Sequence, residues 1–510
     1  MNKIFKSQSI NNILLNVLSL TSNIIISIAL VPYLVGNLGV AVYGLIPLSM
    51  IFVEYMNLIS QSLMTSINRY LSIAIQEKNK TEAKAIFSTS MYMMIFLALI
   101  QVIIFTWPLL NVDKIIEIGS IDSIDVVYLF YFVFLSYIVS LITSILNVSM
   151  YSKNRLDLIQ FSNIIRVTSR SIFIVIFFCM IDVNLFYVGL ATLLASFLSF
   201  IYSYINYRKI TPSLKVDISY VDIKKIKILL SLGGWLIINQ VGFLLLSRVD
   251  ILLVNKLVGV NEAGEYAIVV QISNLIRSCL AVLSGLTGPI IFKLYAENKI
   301  KEAEQLTYTF SKLLSLISAI IVTFIIFNYS YLIELWLGAG FENLQALIYI
   351  LIAPLIFNIG VTPLFTLNTA YGKVKIPGIM SLVFGMISIL LGVYLVEHTN
   401  LGAMAIAICS ILALTTKNAL FMPLYSSYML KVKWTRYFSI HVYSLLLVVF
   451  GLLIDYFFRE LIINTSSENF IGLTIWLFVY VIVLSFIAWT MFGVSDKKII
   501  KDFLIKKVKF

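Results

Sequence analysis

The stretch VVYLFYFVFLSYIVSLITSILNVSMYSKNR, Val126 to Arg155, carries no charge until Lys153 and Arg155 close it. An apolar run of about 20 residues is what an α-helix needs to cross a hydrocarbon core ~30 Å thick. Basic residues directly after it mark the flank retained on the cytoplasmic side. The pattern repeats along the chain, and spans are predicted near 10–35, 42–63, 86–110, 126–149, 164–181, 185–206, 228–252, 266–290, 308–328, 343–368, 377–396, 402–424, 438–457 and 470–492. The fold class is therefore all-α integral membrane, with about 14 transmembrane helices. Composition agrees: 60% of the 510 residues are hydrophobic and 12% charged, too little polar surface for a soluble globule.

Orientation follows from the cations. Of 37 Lys and Arg, 31 are counted with alternate gaps, including Arg166 and Arg170 at the start of the fifth span, Lys224 to Lys227 before the seventh and Lys312 at the ninth. The opposite gaps hold only Lys114, Lys256 and Arg459. Both termini are thus expected in the cytoplasm, in a multi-pass protein of the bacterial cytoplasmic membrane. The net charge of +12 is spread thinly beside apolar helices, so anionic membrane lipids are expected partners and nucleic acid is not. The first span is too long for a signal-peptide core and is expected to stay attached.

Three cations break the pattern. Arg248, Arg277 and Lys417 fall inside spans, where a charge is costly and marks a candidate site. Arg277 is the most deeply placed. Its guanidinium suits bidentate phosphate recognition, or else an ion pair with Glu54 or Asp250. Arg248 and Lys417 lie nearer span ends, where snorkelling competes with cargo binding. Glu54, mid-span, is the candidate ion-coupling group, since a carboxyl in low dielectric exchanges protons at raised pH; charge balance for an arginine is its other reading. Cys179, Cys279 and Cys409 are dispersed within spans and His398 and His441 sit at boundaries, so neither a metal site nor a disulfide framework is expected. No nucleotide-binding pattern occurs, no cofactor is implied, and the chain is not expected to be an enzyme.

An internal repeat accompanies the spans. At an offset of 223 residues, LVPYLVGNLGVAVYGL (Leu30–Leu45) faces LVNKLVGVNEAGEYAI (Leu253–Ile268) with six identities, and NKTEA (79–83) has a counterpart in NKIKEA (298–303). The expected organisation is two pseudo-symmetric six-helix lobes, 1–210 and 211–430, followed by two additional helices and a basic tail, 431–510. Parallel repeats leave a seam that transporters use for cargo. Polar residues at helical spacing then become candidates for lining a hydrated cavity: Asn16 and Asn23 in the first span, Asn57 and Gln61 in the second, Asn239 and Gln240 in the seventh, and Gln271 and Asn274 in the eighth. Hydrogen bonding between packed helices is the competing role of such stripes. The prolines Pro47, Pro289, Pro354 and Pro363 are expected to interrupt helices.

Several segments resemble the Wzx-type polysaccharide and O-antigen flippases of the multidrug/oligosaccharidyl-lipid/polysaccharide (MOP) superfamily. They are the first hinge just quoted, SINRYLS (66–72), RVDILLVNKLVG (248–259), GPIIFKLY (288–295), LIELWLGAGFENL (332–344), LNTAYGKVKIPG (367–378) and NLGAMAIAICS (400–410). The resemblance implies alternating access by two lobes. It implies a cargo of polyprenyl-pyrophosphate-linked oligosaccharide, an O-antigen or capsular repeat unit, with a proton or sodium counter-ion and other polysaccharide-assembly membrane proteins as partners. Fourteen spans also resemble lipid II flippases, although the first span lacks the charges expected of one. A cation or drug antiporter of the same superfamily would favour acidic residues in its cavity. Glycan polymerases and acyltransferases would need a large outer loop or an intramembrane histidine.

Overall fold

The computed structural model describes residues 2–77, 79–222, 225–226, 234–285, 287–463 and 469–507. Lys224 and Lys227 lie outside the described residues. Helices dominate. In chain order they are α1 (Asn2–Leu38), α2 (Val40–Gln76), α3 (Lys80–Leu110), α4 (Ser123–Ser152), α5 (Leu156–Met180), α6 (Leu185–Ile210), α7 (Gly234–Ser247), α8 (Val249–Leu257), α9 (Val260–Gly285), α10 (Gly288–Ala296), α11 (Ile300–Phe327), α12 (Tyr329–Leu337), α13 (Gln345–Ile352), α14 (Leu355–Gly360), α15 (Thr362–Ala370), α16 (Lys375–His398), α17 (Ala403–Thr415), α18 (Met422–Leu430), α19 (Thr435–Ile463), α20 (Asn469–Met491) and α21 (Val494–Lys507).

Among the described residues, 12 helices are long and apolar enough to cross a membrane, or 13 if the bent pair 475–491 and 494–502 counts as one span. The chain is an all-α integral membrane protein. The seventh expected span begins in residues outside the description and is broken at Arg248, between α7 and α8. Pro354 and Pro363 stand at the breaks that divide one span into α13, α14 and α15, and Pro289 opens α10. Pro47, expected to interrupt a helix, lies inside the continuous α2.

Contacts divide the chain into two compact units, residues 1–244 with 251–267, and residues 245–250 with 268–510. In the first, α4 runs along α6, α5 packs between α1 and α6, and α2 packs on α4. Small residues make the α4–α6 approach possible. A Cβ at Gly189 would sit 3.1 Å from the backbone of Leu129, and Ser162 of α5 meets the hydroxyls of Ser199 and Ser203 at 2.7 and 2.9 Å. Without water to drive association, close backbones and shared hydroxyls hold such helices together. Start signals are local: Asn79, Asp122 and Asn184 cap α3, α4 and α6 through their side-chain oxygens, satisfying donors that a helix start leaves orphaned.

Helix starts recur at a spacing different from the offset of 223 expected for the repeat. α2 and α9 begin at Val40 and Val260, each after a turn glycine at positive φ, Gly39 and Gly259, and α3 and α11 begin at Lys80 and Ile300. The offset is 220, not 223. The buried positions Val31, Leu34, Ala83 then match Ile251, Val254, Ala303, and Gly44 becomes equivalent to Gly264. These two glycines touch: a Cβ on Gly44 would lie 2.8 Å from Gly264 Cα, and one on Gly264 would run into the Val40 carbonyl oxygen.

In the second unit α11 is the central helix, packed by α14, α15, α19, α20 and α21. At one end of this unit the chain turns by 117° after α20. There Asp496, 4% exposed, accepts hydrogen bonds from Thr309 (2.7 Å) and Gln305 (2.9 Å) of α11. Lys312, 2% exposed, lies 3.9 Å from Asp496, donates to the Met491 carbonyl at 2.6 Å and sits 3.5 Å above the Tyr443 ring. Arg436 pairs with Glu304 at 2.6 Å. Ile499 adds an apolar contact to the cluster of Ile291, Ala303, Leu306, Phe310 and Leu367.

Candidate functional site

A cavity of about 760 Å³ opens within the first unit, walled by α1, α2, α4, α5 and α6. Helical periodicity builds each wall. Met50, Val53, Asn57, Gln61, Met64 and Asn68 recur at intervals of three and four on α2, and Leu156, Ile159 and Gln160, Asn163, Arg166 and Val167, and Arg170 follow turn by turn on α5. Each set is one face of a helix. Tyr137 anchors one side. Its hydroxyl meets Ser60 at 2.8 Å and donates to the Met56 carbonyl at 3.1 Å, while Gln101 donates to the same carbonyl at 3.0 Å. Because α2, α3 and α4 share this buried network, the wall is rigid where it is polar.

The charges of the cavity are Arg166 and Arg170. The cation count assigned both to the cytoplasmic side, at the start of the span expected at 164–181; they stand ten and fourteen residues into the 25-residue α5, a membrane-length helix. Spaced i, i+4, they share one face, an arrangement that is repulsive for like charges. No Asp or Glu occurs among the residues lining the cavity. Arg166 is exposed to it, and the Nε of Arg170 is enclosed with no hydrogen-bond partner among the described residues. Two guanidinium groups without a lining carboxylate, among Ser, Thr, Asn and Gln side chains, can hold an anion bidentately and hydrogen-bond hydroxyl-rich groups beside it.

The expected polar stripes divide. Asn23, Asn57 and Gln61 line the cavity, and Gln240 donates to Gln61 at 3.2 Å. Asn16 is exposed and is not among the lining residues. Asn12 of the same stripe is structural, since it donates to the Asn154 carbonyl and accepts from the Asp157 amide, both at 3.0 Å, fastening α1 to the start of α5. Glu54 is half-buried and also not among the lining residues. The side chain of Asn239 lies outside the described residues.

Arg248, Asp250, Arg277, Gln271, Asn274 and Lys417 belong to the second unit. Arg277 lies within the electrostatic reach of both Arg248 and Asp250, and its Nε approaches Ser273 Oγ at 3.4 Å. Arg248 is the residue at the break between α7 and α8, so it and Asp250 are not on one continuous helix, and each has interactions of its own. Gln271 and Asn274 are half-buried.

Lys417 is 3% exposed and so is buried within the unit instead of extended along its surface. It lies in the π-helical turn Thr416–Phe421, with its ammonium 5.1 Å from the Phe365 ring. The extra residue of a π turn misaligns the backbone ladder, and the freed Ala419 carbonyl faces His441 Nε2 at 3.1 Å. His441 is therefore buried, 8% exposed, and not interfacial as expected. Asn358 links the turn to the bundle through Asn418 at 3.1 Å and Thr415 at 3.3 Å.

Comparison with known proteins places this geometry. A family model described as "Polysaccharide biosynthesis protein" matches residues 9–295, more than half of the chain. The uncharacterized membrane protein EpsK of Bacillus subtilis (strain 168) is 23% identical over 412 residues, 81% of this chain and 82% of that protein. Among solved structures, the lipid II flippase MurJ in an inward closed conformation aligns with a TM-score of 0.66 at 15% identity, over 94% of this chain and 98% of that one. An inward-facing multidrug resistance MATE family transporter of the MOP superfamily aligns with a TM-score of 0.60 at 15% identity, over 82% and 94%. The structural likenesses show a shared fold. With the family model spanning most of α1 to α10 on that fold, the chain belongs to the polysaccharide biosynthesis protein family.

Proposed function

We propose that the protein moves a polyprenyl-pyrophosphate-linked oligosaccharide, an O-antigen or capsular repeat unit, across the cytoplasmic membrane by alternating access, with both termini in the cytoplasm. The observation that carries the reading is the cavity of the first unit, which has Arg166 and Arg170 in its wall and no lining carboxylate. A pyrophosphate needs cations held out of bulk water, and a glycan needs the hydroxyl and amide groups that surround them. The same observation disfavours the cation or drug antiporter, whose cargo would be repelled. Arg277, Arg248 and Lys417 are proposed as further contacts for the anionic cargo, with Asp250 as a charge-balancing group and Glu54 as the site of a coupling proton or sodium ion.

The test is uptake of a fluorescent polyprenyl-pyrophosphate oligosaccharide by vesicles that contain the purified full-length protein. Uptake is expected in the wild type, with loss of roughly ten- to a hundredfold in R166Q/R170Q, the scale of one or two charged hydrogen bonds. Wild-type rates in that variant would remove the cavity from the mechanism. In E54Q the response to an imposed ion gradient is expected to vanish while binding persists; an unchanged response would free Glu54 of the coupling role.

A further inference from the structure

The last helix has no place in the transport reading, and its chemistry is distinctive. α21 holds five lysines, 497, 498, 501, 506 and 507, and two carboxylates, Asp496 and Asp502. Asp496 is withdrawn into the second unit beside Lys312 and bonded to Thr309 and Gln305. Its charge is spent inward, so among the described side chains the rest of α21 sets Lys497, Lys498 and Lys501 against Asp502. Ile500, 8% exposed, and Ile499 turn inward with Asp496, whereas Lys498 and Lys501 are exposed. One face is thus docked and the opposite face is basic.

The surroundings are those of a membrane–water boundary. The 117° bend after α20 takes α21 out of the direction of the span. Lys312 contacts both Tyr443 of α19 and Met491 of α20, so the start of α19 and the end of α20 share this end of the unit. Trp434, just before α19, and Trp489, near the end of α20, are 59% and 44% exposed, and Lys497 lies 5.5 Å over the Trp489 ring. Exposed tryptophans collect at headgroup level, and a basic helix lying along that level attracts anionic lipid.

We infer that α21 is an interfacial binding shelf for anionic phospholipid headgroups, held at a fixed angle by the Asp496 anchor. The occupant is lipid instead of a protein partner because lysines outnumber the single exposed carboxylate, Asp502, among the described side chains, and ring side chains suited to headgroup depth flank them. The full-length protein in nanodiscs of phosphatidylcholine, with or without phosphatidylglycerol, tests this by hydrogen exchange of residues 494–507 and by native mass spectrometry of retained phosphatidylglycerol. Phosphatidylglycerol is expected to slow exchange along α21 and to be retained. Apparent affinity should fall roughly fivefold for each lysine removed in K498Q/K501Q, with an unchanged melting temperature. D496N should loosen α21 and lower retention with every lysine still present. Equal exchange in the two lipid compositions would overturn the proposal, as would full retention in K498Q/K501Q, or protection that arises only when other membrane proteins are added.

Discussion

Arg166 and Arg170 are the residues on which a sequence reading and the folded chain part company. As i, i+4 cations on a cavity face, they repel one another by a few tenths of a kcal/mol. Neutralising either should leave stability unchanged or slightly raised while transport falls. R170Q is thus expected to unfold in detergent at or just above the wild-type temperature, and a marked drop in melting temperature would assign Arg170 a structural role instead. Their position was hidden for a physical reason. A helix lining a hydrated cavity is apolar on only part of its surface, and the first half of α5 carries Gln160, Ser162, Asn163, Arg166, Thr168, Ser169 and Arg170. Averaged over a window these move the expected start of the span to 164 and put both arginines at its edge. The signal lay in spacing, since Gln160, Asn163, Arg166 and Arg170 recur by three and four. The same rule did reveal Asn23, Asn57 and Gln61, because their neighbours are apolar enough to keep the span visible. Lys417 and His441 sat near expected span ends, and only the π turn shows that both are enclosed.

Helices and their order were legible wherever apolar length decided them, as in α4 and α16. The breaks were legible in part. Pro354 and Pro363 fall at true interruptions, but Pro47 is accommodated within α2, as membrane helices permit when neighbours take up the freed carbonyl. Register needed the folded chain. Six identities favoured an offset of 223 because apolar residues match by chance, whereas the turn glycines and helix starts, which obey backbone geometry, set 220. That register places Gly44 opposite Gly264, and the crossing leaves no room for a side chain. G264A forces a methyl against the Val40 carbonyl and is expected to cost about 1–3 kcal/mol. Thermal unfolding of the purified variant would measure this, and G44A should show a smaller effect because its nearest clash, at 2.8 Å from Gly264 Cα, is less severe than that of Gly264 with the Val40 carbonyl. Equal stability of all three proteins would mean that the crossing does not constrain the fold.

For the whole molecule, the buried Lys312–Asp496 pair has a consequence for synthesis. Lys312 lies within a membrane-length helix, yet the carboxylate beside it belongs to the final helix; Thr309, one turn away, bonds to a residue 187 positions further along the chain. At 5–20 residues per second the ribosome needs roughly ten to forty seconds to deliver that partner. Through this interval the inserted α11 carries a cation with its intended acceptor unmade, a state that quality-control proteases can sample. The helix that carries Asp496 therefore seals the second unit late: its contacts with α11 form only after α21 has been made. A chain ended after Gly493 should be inserted normally but cleared several-fold faster in pulse–chase labelling, and K312M should restore its lifetime by removing the stranded charge. Were the shortened chain as long-lived as the complete one, the late pair would be dispensable for maturation.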